Sequence, residues 1–226
     1  MSDDAGFASG YFTRGAPPTG TRLVFVRHGE AHCNANGVVG GPRGCGGLTA
    51  TGEAQVRALV ERLARTRELD DIVAIYTSVL PRAIQTAALL ASALPELERV
   101  QDCELCELHP GEGDALTWQE LRARYGVVDW NSDPNQPFAP GGESWTGFYE
   151  RCATTLGRLV DRHPGQRVLL VVHGGVIEQA MKICAGDAAG VRLGLRTEHC
   201  SMTEIEFDVG RRRLLRYNDS APLGFE

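Results

Sequence analysis

Three short stretches carry the residues with the greatest chemical reach. They are Arg27-His28-Gly29-Glu30, the Thr77-Ser78 pair with Arg82 one turn beyond it, and His173-Gly174-Gly175. Between them they hold two imidazoles and two guanidiniums, with a glycine beside each histidine. Guanidiniums bind phosphate oxygens bidentately. Glycine lets backbone N–H groups come close to a bound anion, and helix N-termini favour negative charge. A neutral imidazole can attack phosphorus and carry the phosphoryl group covalently. The charges of Arg27 and Arg82 disfavour imidazolium and stabilise the oxygens in transfer. The departing alkoxide needs a proton, and the carboxylates of Glu104, Glu107, Glu112 and Asp114 crowd one stretch that can supply it.

Other chemistries fit less well. No Asp/Glu pair accompanies the histidines at ligand spacing, so neither a metal centre nor a cofactor is expected. There is no G-x-x-x-x-G-K-[ST] loop for P-loop nucleotide hydrolysis. Cys103 and Cys106 form a C-x-x-C, but with no second such pair and no histidine read at ligand spacing, zinc is not expected there. The seven cysteines are scattered rather than framed, which fits a reducing compartment and a cytoplasmic protein. A net charge of −6 argues against broad binding to nucleic acid or membrane surfaces, so attraction of an anionic substrate must be local.

The three stretches follow three apolar runs: Leu23–Val26, Ile72–Tyr76 and Val168–Val172. Each run reads as a strand buried on both faces. A helical pattern follows each. Val56, Leu59, Val60 and Leu63 mark one stripe, with Thr49 as N-cap; Pro81 opens the next helix; Val176, Ile177, Ala180 and Met181 mark a third. Strand followed by helix, repeated, implies parallel strands with crossover helices. The loops at the strand C-termini then share one sheet edge, where ligands bind. Met202–Phe207 and Leu214–Tyr217 read as antiparallel neighbours around Gly210. The expected fold is therefore an α/β three-layer α/β/α sandwich, its central sheet mostly parallel with an antiparallel edge strand.

The 226 residues suit one domain, 21–226, preceded by a loose Gly/Pro-rich arm over 1–20. Residues 104–140, rich in carboxylates and aromatics, read as an excursion over the site. A Gly-rich loop spans 37–47. Ser144 reads as the N-cap of a helix that stops before His163-Pro164-Gly165.

Five patterns, in order, resemble those of the histidine phosphatase superfamily, also called phosphoglycerate mutase-like. R-H-G-E-x-x-x-N is met by Arg27, His28, Gly29, Glu30 and Asn34, and L-T-x-x-G-x-x-Q by Leu48, Thr49, Gly52 and Gln55. S-x-L-x-R-A-x-Q-T-A is met from Ser78 to Ala87, G-G-E-S by Gly141 to Ser144, and V-x-H-G-G by Val171, His173, Gly174 and Gly175. The resemblance implies that His28 becomes phosphorylated, with Arg27, Arg82 and His173 completing the phosphate pocket. It implies substrate contacts at Asn34, Gly174, Glu143 and Ser144. The proton donor falls in an L-x-E-L-x-x-G segment, which points to Glu107; the usual Trp-Glu-Gly after it is absent, and Glu104 and Glu112 stay in reserve.

The expected activity is hydrolysis of a small phosphorylated substrate by a phosphomonoesterase. A 2,3-bisphosphoglycerate-dependent phosphoglycerate mutase competes, but mutases resembling this chain carry a longer insertion between proton donor and second histidine. A catalytically silent phosphate-binding module is the third reading, opposed by the intact Arg27, His28, Arg82 and His173.

Overall fold

The computed structural model describes residues 19–186 and 193–220. The expected arm, 1–20, falls almost wholly outside the described residues. Six strands form one sheet: β1 (Thr21–Arg27), β2 (Ile72–Thr77), β3 (Arg99–Gln101), β4 (Arg167–Val172), β5 (Met202–Asp208) and β6 (Arg211–Asp219). Their order is β3-β2-β4-β1-β5-β6. The first four are mutually parallel, whereas β5 runs antiparallel to β1 and to β6. The antiparallel strand therefore lies one position in from the edge, and β6 closes that side.

The helices are α1 (His32–Ala35), α2 (Ala50–Thr66), α3 (Pro81–Leu90), α4 (Trp118–Tyr125), α5 (Trp145–Arg162) and α6 (Gly174–Ala185). Strand side chains alternate between faces, and both faces of β1 and β4 are buried. Leu23 and Phe25 of β1, with Val168, Leu170 and Val172 of β4, meet Phe148, Leu156 and Leu159 of α5 and Ile177 of α6. Val24, Val26, Leu169 and Val171 meet Val56, Leu59 and Leu63 of α2 and Ala87 and Leu90 of α3. This explains why the two strands are continuous apolar runs, and it produces the three layers. Thr49 caps α2 by accepting from the Gly52 N–H at 2.9 Å, and Ser144 caps α5 by accepting from Gly147 N–H at 3.1 Å.

Register decides what happens at the sheet's C-terminal edge. Arg27 lies opposite Val172, and Thr77 opposite Val171. The next residues, His28, His173 and Ser78, therefore emerge side by side. The backbone N–H of His28 still reaches Val172 O at 3.0 Å, and that of Ser78 reaches Val171 O at 3.2 Å.

Candidate active site

His28 and His173 are both fully or nearly fully buried, with ring centroids 5.0 Å apart. Arg82, on the first turn of α3 and 3% exposed, lies between them. Its Nε–H faces His28 Nε2 at 3.0 Å and His173 Nδ1 at 3.2 Å, and its Nη1 donates to Gly40 O at 2.7 Å. Those nitrogens must offer lone pairs to such a donor. The other nitrogen of each ring agrees. His28 Nδ1 lies 2.7 Å from the Gly29 carbonyl, an acceptor only, so Nδ1 carries the proton and Nε2 the lone pair. His173 Nε2 lies 2.8 Å from Ser78 Oγ, whose own hydrogen goes to Cys106 Sγ at 3.2 Å.

Burial is the largest cause holding the His28 imidazole well below its usual pKa, and the charges of Arg82 and Arg27 add to it. The guanidiniums contribute as expected, but desolvation at the end of a doubly covered strand matters more. His173 is depressed well below its usual value in the same way, by burial and then Arg82. Both rings are neutral at neutral pH.

Arg27 donates through Nη1 to Thr197 O. Its Nε is buried with no hydrogen-bond partner among the described residues, and so is His199 Nε2. The His199 ring centroid is 5.6 Å from that of His28, and burial followed by Arg27 and Arg82 lowers its pKa to about 4. The buried Arg27 Nε–H without a protein acceptor among the described residues, with the unpartnered His199 Nε2 near the His28 lone pair, describes a place for an oxyanion. His199 was not singled out from the sequence. It lies in an irregular stretch before β5, where no periodicity or turn pattern marks it.

Glu107 reaches the same cavity from 103–110. Its Oε2 accepts from Gly175 N–H and its Oε1 from Leu108 N–H, each at 3.0 Å. A Cβ on Gly175 would stand 2.1 Å from Glu107 Oε1, so the second glycine after His173 makes room for the carboxylate. The reserves lie elsewhere: Glu104 is exposed outside the cavity lining, and Glu112 accepts from the Tyr125 hydroxyl at 2.8 Å. Asn34 and Gly174 line the cavity.

Glu143 and Ser144 do not. The Ser144 hydroxyl is spent on the cap of α5. Glu143 forms a two-pronged pair with Arg151 at 2.7 and 2.8 Å and accepts from the His109 N–H at 2.7 Å. Arg151 also donates to the carbonyls of Glu104, Cys106 and Glu107. The G-G-E-S stretch thus braces the segment that holds Glu107 instead of touching the cavity. A second reading from sequence also changes. His109 stands three residues after Cys106, and one ligand-type atom from each of Cys103, Cys106 and His109 lies within 4.8 Å of the others.

The cavity encloses about 670 Å³. Arg27, His28, Arg82 and His199 form its floor, and Trp118, Leu121, Val127, Trp130 and Phe138 its roof. Trp130 stacks on Trp145 at 5.2 Å between centroids, and Trp118 meets Phe138 edge-on at 6.0 Å. No helix among the described residues is long and apolar enough to cross a membrane.

The profile of the histidine phosphatase superfamily (branch 1) matches residues 23–220. Phosphoglycerate mutase-like protein 4 of Arabidopsis thaliana is 33% identical over 178 residues, covering 77% of this chain and 76% of that protein. The metal-independent phosphoserine phosphatase of the same plant is 33% identical over 177 residues, covering 75% and 71%. Among solved structures, mycobacterial glucosyl-3-phosphoglycerate phosphatase complexed with VO3 superposes with a TM-score of 0.74 at 27% identity, over 88% of this chain and 99% of that one. Bacillus stearothermophilus YhfR does so with a TM-score of 0.74 at 29% identity, over 88% and 97%. A neutral imidazole set among guanidiniums at the C-terminal edge of a parallel sheet, and a profile spanning nearly every described residue, lead to one assignment: the chain belongs to the histidine phosphatase superfamily.

Proposed function

We propose that this histidine phosphatase hydrolyses a small organic phosphomonoester through a phosphohistidine on His28. The observation that carries the reading is the fixed tautomer of His28, whose Nε2 lone pair faces Arg82 while Nδ1–H is tied to Gly29 O. In the first step Nε2 attacks phosphorus, the P–O ester bond breaks, and the leaving oxygen takes a proton from the Glu107 carboxyl group. In the second step Glu107 takes a proton from water, whose oxygen attacks the phosphorus. The P–N bond breaks, releasing phosphate and neutral His28. Arg27, Arg82 and the His199 N–H hold the equatorial oxygens in both steps. His173, kept as the Nε2–H tautomer by Ser78, leaves its Nδ1 toward Arg82 and positions that guanidinium.

The aromatic roof supports a leaving group with a carbon-rich or ring-bearing part, and a cavity of about 670 Å³ suits a metabolite-sized ester rather than a folded phosphoprotein. The free state of the cysteines supports a reducing, cytoplasmic setting. Mixing enzyme with a radiolabelled aryl phosphate and quenching in alkali tests the mechanism. The expected result is an acid-labile, base-stable label on the peptide containing His28, absent from His28→Ala. A label on another residue, or turnover with none trapped in rapid quench, overturns it. A panel pairing metabolite esters with phosphopeptides tests the substrate class.

A further inference from the structure

The outer side of the segment that carries Glu107 gathers three ligand-type side chains. Cys103–Leu105 is one 3₁₀ turn, capped by the Asp102 carboxylate on Glu104 N–H, and Cys106 follows in extended backbone. The turn brings Cys103 Sγ to 3.8 Å from Cys106 Sγ. His109 folds back, so that its ring and both sulfurs lie mutually within 4.8 Å. Cys103 is exposed, His109 half-buried and Cys106 buried, which leaves an approach from solvent. None of the three lines the cavity.

Zinc binds thiolate sulfur at about 2.3 Å and imidazole nitrogen at about 2.0–2.1 Å in tetrahedral geometry, which sets two ligating sulfurs about 3.8 Å apart. The Cys103–Cys106 separation already matches that spacing. A donor set of two sulfurs and one imidazole suits a thiophilic cation and not magnesium or calcium. Burial raises the Cys106 thiol, but hydrogen bonds from His109 and Ser78 outweigh it and carry the group below its ordinary value. Cys103 is pushed up to about 11 by burial and by its neighbour, so a cation binding here displaces a proton from it.

We propose that Cys103, Cys106 and His109 form a binding site for a divalent cation of the zinc type, with the fourth position open to solvent. The site touches the catalytic apparatus at two points. Cys106 Sγ accepts from Ser78, which holds His173, and Glu107 sits between two of the ligands. Occupancy therefore fixes the backbone on both sides of Glu107. That coupling rests on the phosphatase reading; the site itself does not.

The test uses the whole chain, kept reduced with a phosphine and titrated with Co²⁺. Tetrahedral sulfur–imidazole ligation gives visible d–d bands and sulfur-to-metal charge transfer. The expected result is saturation at one cobalt per chain, displacement by Zn²⁺, and loss of the bands in Cys103→Ala and in His109→Ala. Saturating Zn²⁺ raises Tm by several degrees in the parent and leaves Cys103→Ala unmoved. A blank spectrum in the reduced parent, or equal bands in both variants, overturns the site. Cobalt bands with turnover on alkyl phosphates indifferent to Zn²⁺ keep the site and overturn the coupling. Folding of each variant is checked by circular dichroism.

Discussion

Strand β4 has an arginine cluster at each end, and the two are built on opposite terms. At its start, Arg167 is 6% exposed and fully paired. It grips Glu204 through two bonds of 2.8 Å and Asp71 through one of 2.7 Å. At its finish, Arg82 is just as buried, yet its partners among the described residues are two imidazoles, a carbonyl and a sulfur. A buried cation costs several kcal/mol unless compensated. The Arg167 end is compensated by the protein and serves the fold. The Arg82 end has no carboxylate partner among the described residues, which is what the proposed phosphate site requires.

The contrast can be tested from both ends. Removing the proposed nucleophile has the largest effect: His28→Ala should cost turnover at least about 10⁴-fold, the scale on which loss of a covalent nucleophile acts in other hydrolases. Its circular dichroism should stay native. Arg82→Met should cost about 10²–10³-fold in kcat/KM, while Tm holds or rises because a poorly compensated charge has gone. Glu204→Gln should do the reverse. It should destabilise by about 3 kcal/mol in urea unfolding, since Arg167 loses its main counter-charge, and kcat of the folded enzyme should be unchanged. If Arg82→Met and Glu204→Gln gave the same pattern, the distinction between the two ends would be lost.

Glu107→Gln separates donor from cradle. Alkyl phosphates should slow by about 10²-fold or more, and aryl phosphates, whose leaving groups depart unprotonated, far less. Equal losses on both would mean that the carboxylate acts through Gly175 and the position of α6 alone. The smallest effect is acid sensitivity. His28, His173 and His199 are held neutral when folded, His199 down to about 4. The unfolded chain takes up those protons as pH falls below about 6.5. The contribution of these histidines to folded stability should therefore be flat above that pH and decline below it. Each histidine contributes up to about 1.4 kcal/mol per pH unit, and the share of His199 levels off near pH 4. Urea midpoints at pH 7 and pH 5 measure the decline, and His199→Gln should shallow it.

The sheet was legible because β1 and β4 are apolar on both faces, a pattern few other elements share. His28, His173 and Arg82 were legible for a related reason. Register ties strand ends together, so polar residues that end three buried strands must meet. His199 and Thr197 were not, since the irregular chain before β5 has no period to place them. Glu143 and Ser144 misled in another way. Their motif resembles a family pattern, but a motif does not say whether it touches the ligand or braces what does, and here Arg151 takes up the carboxylate. His109 is hard to read from sequence because Leu108 and Glu107 separate it from the C-x-x-C, whereas a 3₁₀ turn in the fold brings the three donors together.

Arg151 fastens both roots of the span that covers the cavity, holding carbonyls at 104–107 and the carboxylate at 143. A flap pinned at both ends by one side chain can change its inner lining without disturbing its moorings. Substitutions among Trp118, Val127 and Trp130 can thus retune which esters are accepted while the floor's chemistry stays constant. Evolution, or a designer, can treat selectivity and turnover in this enzyme as nearly independent traits.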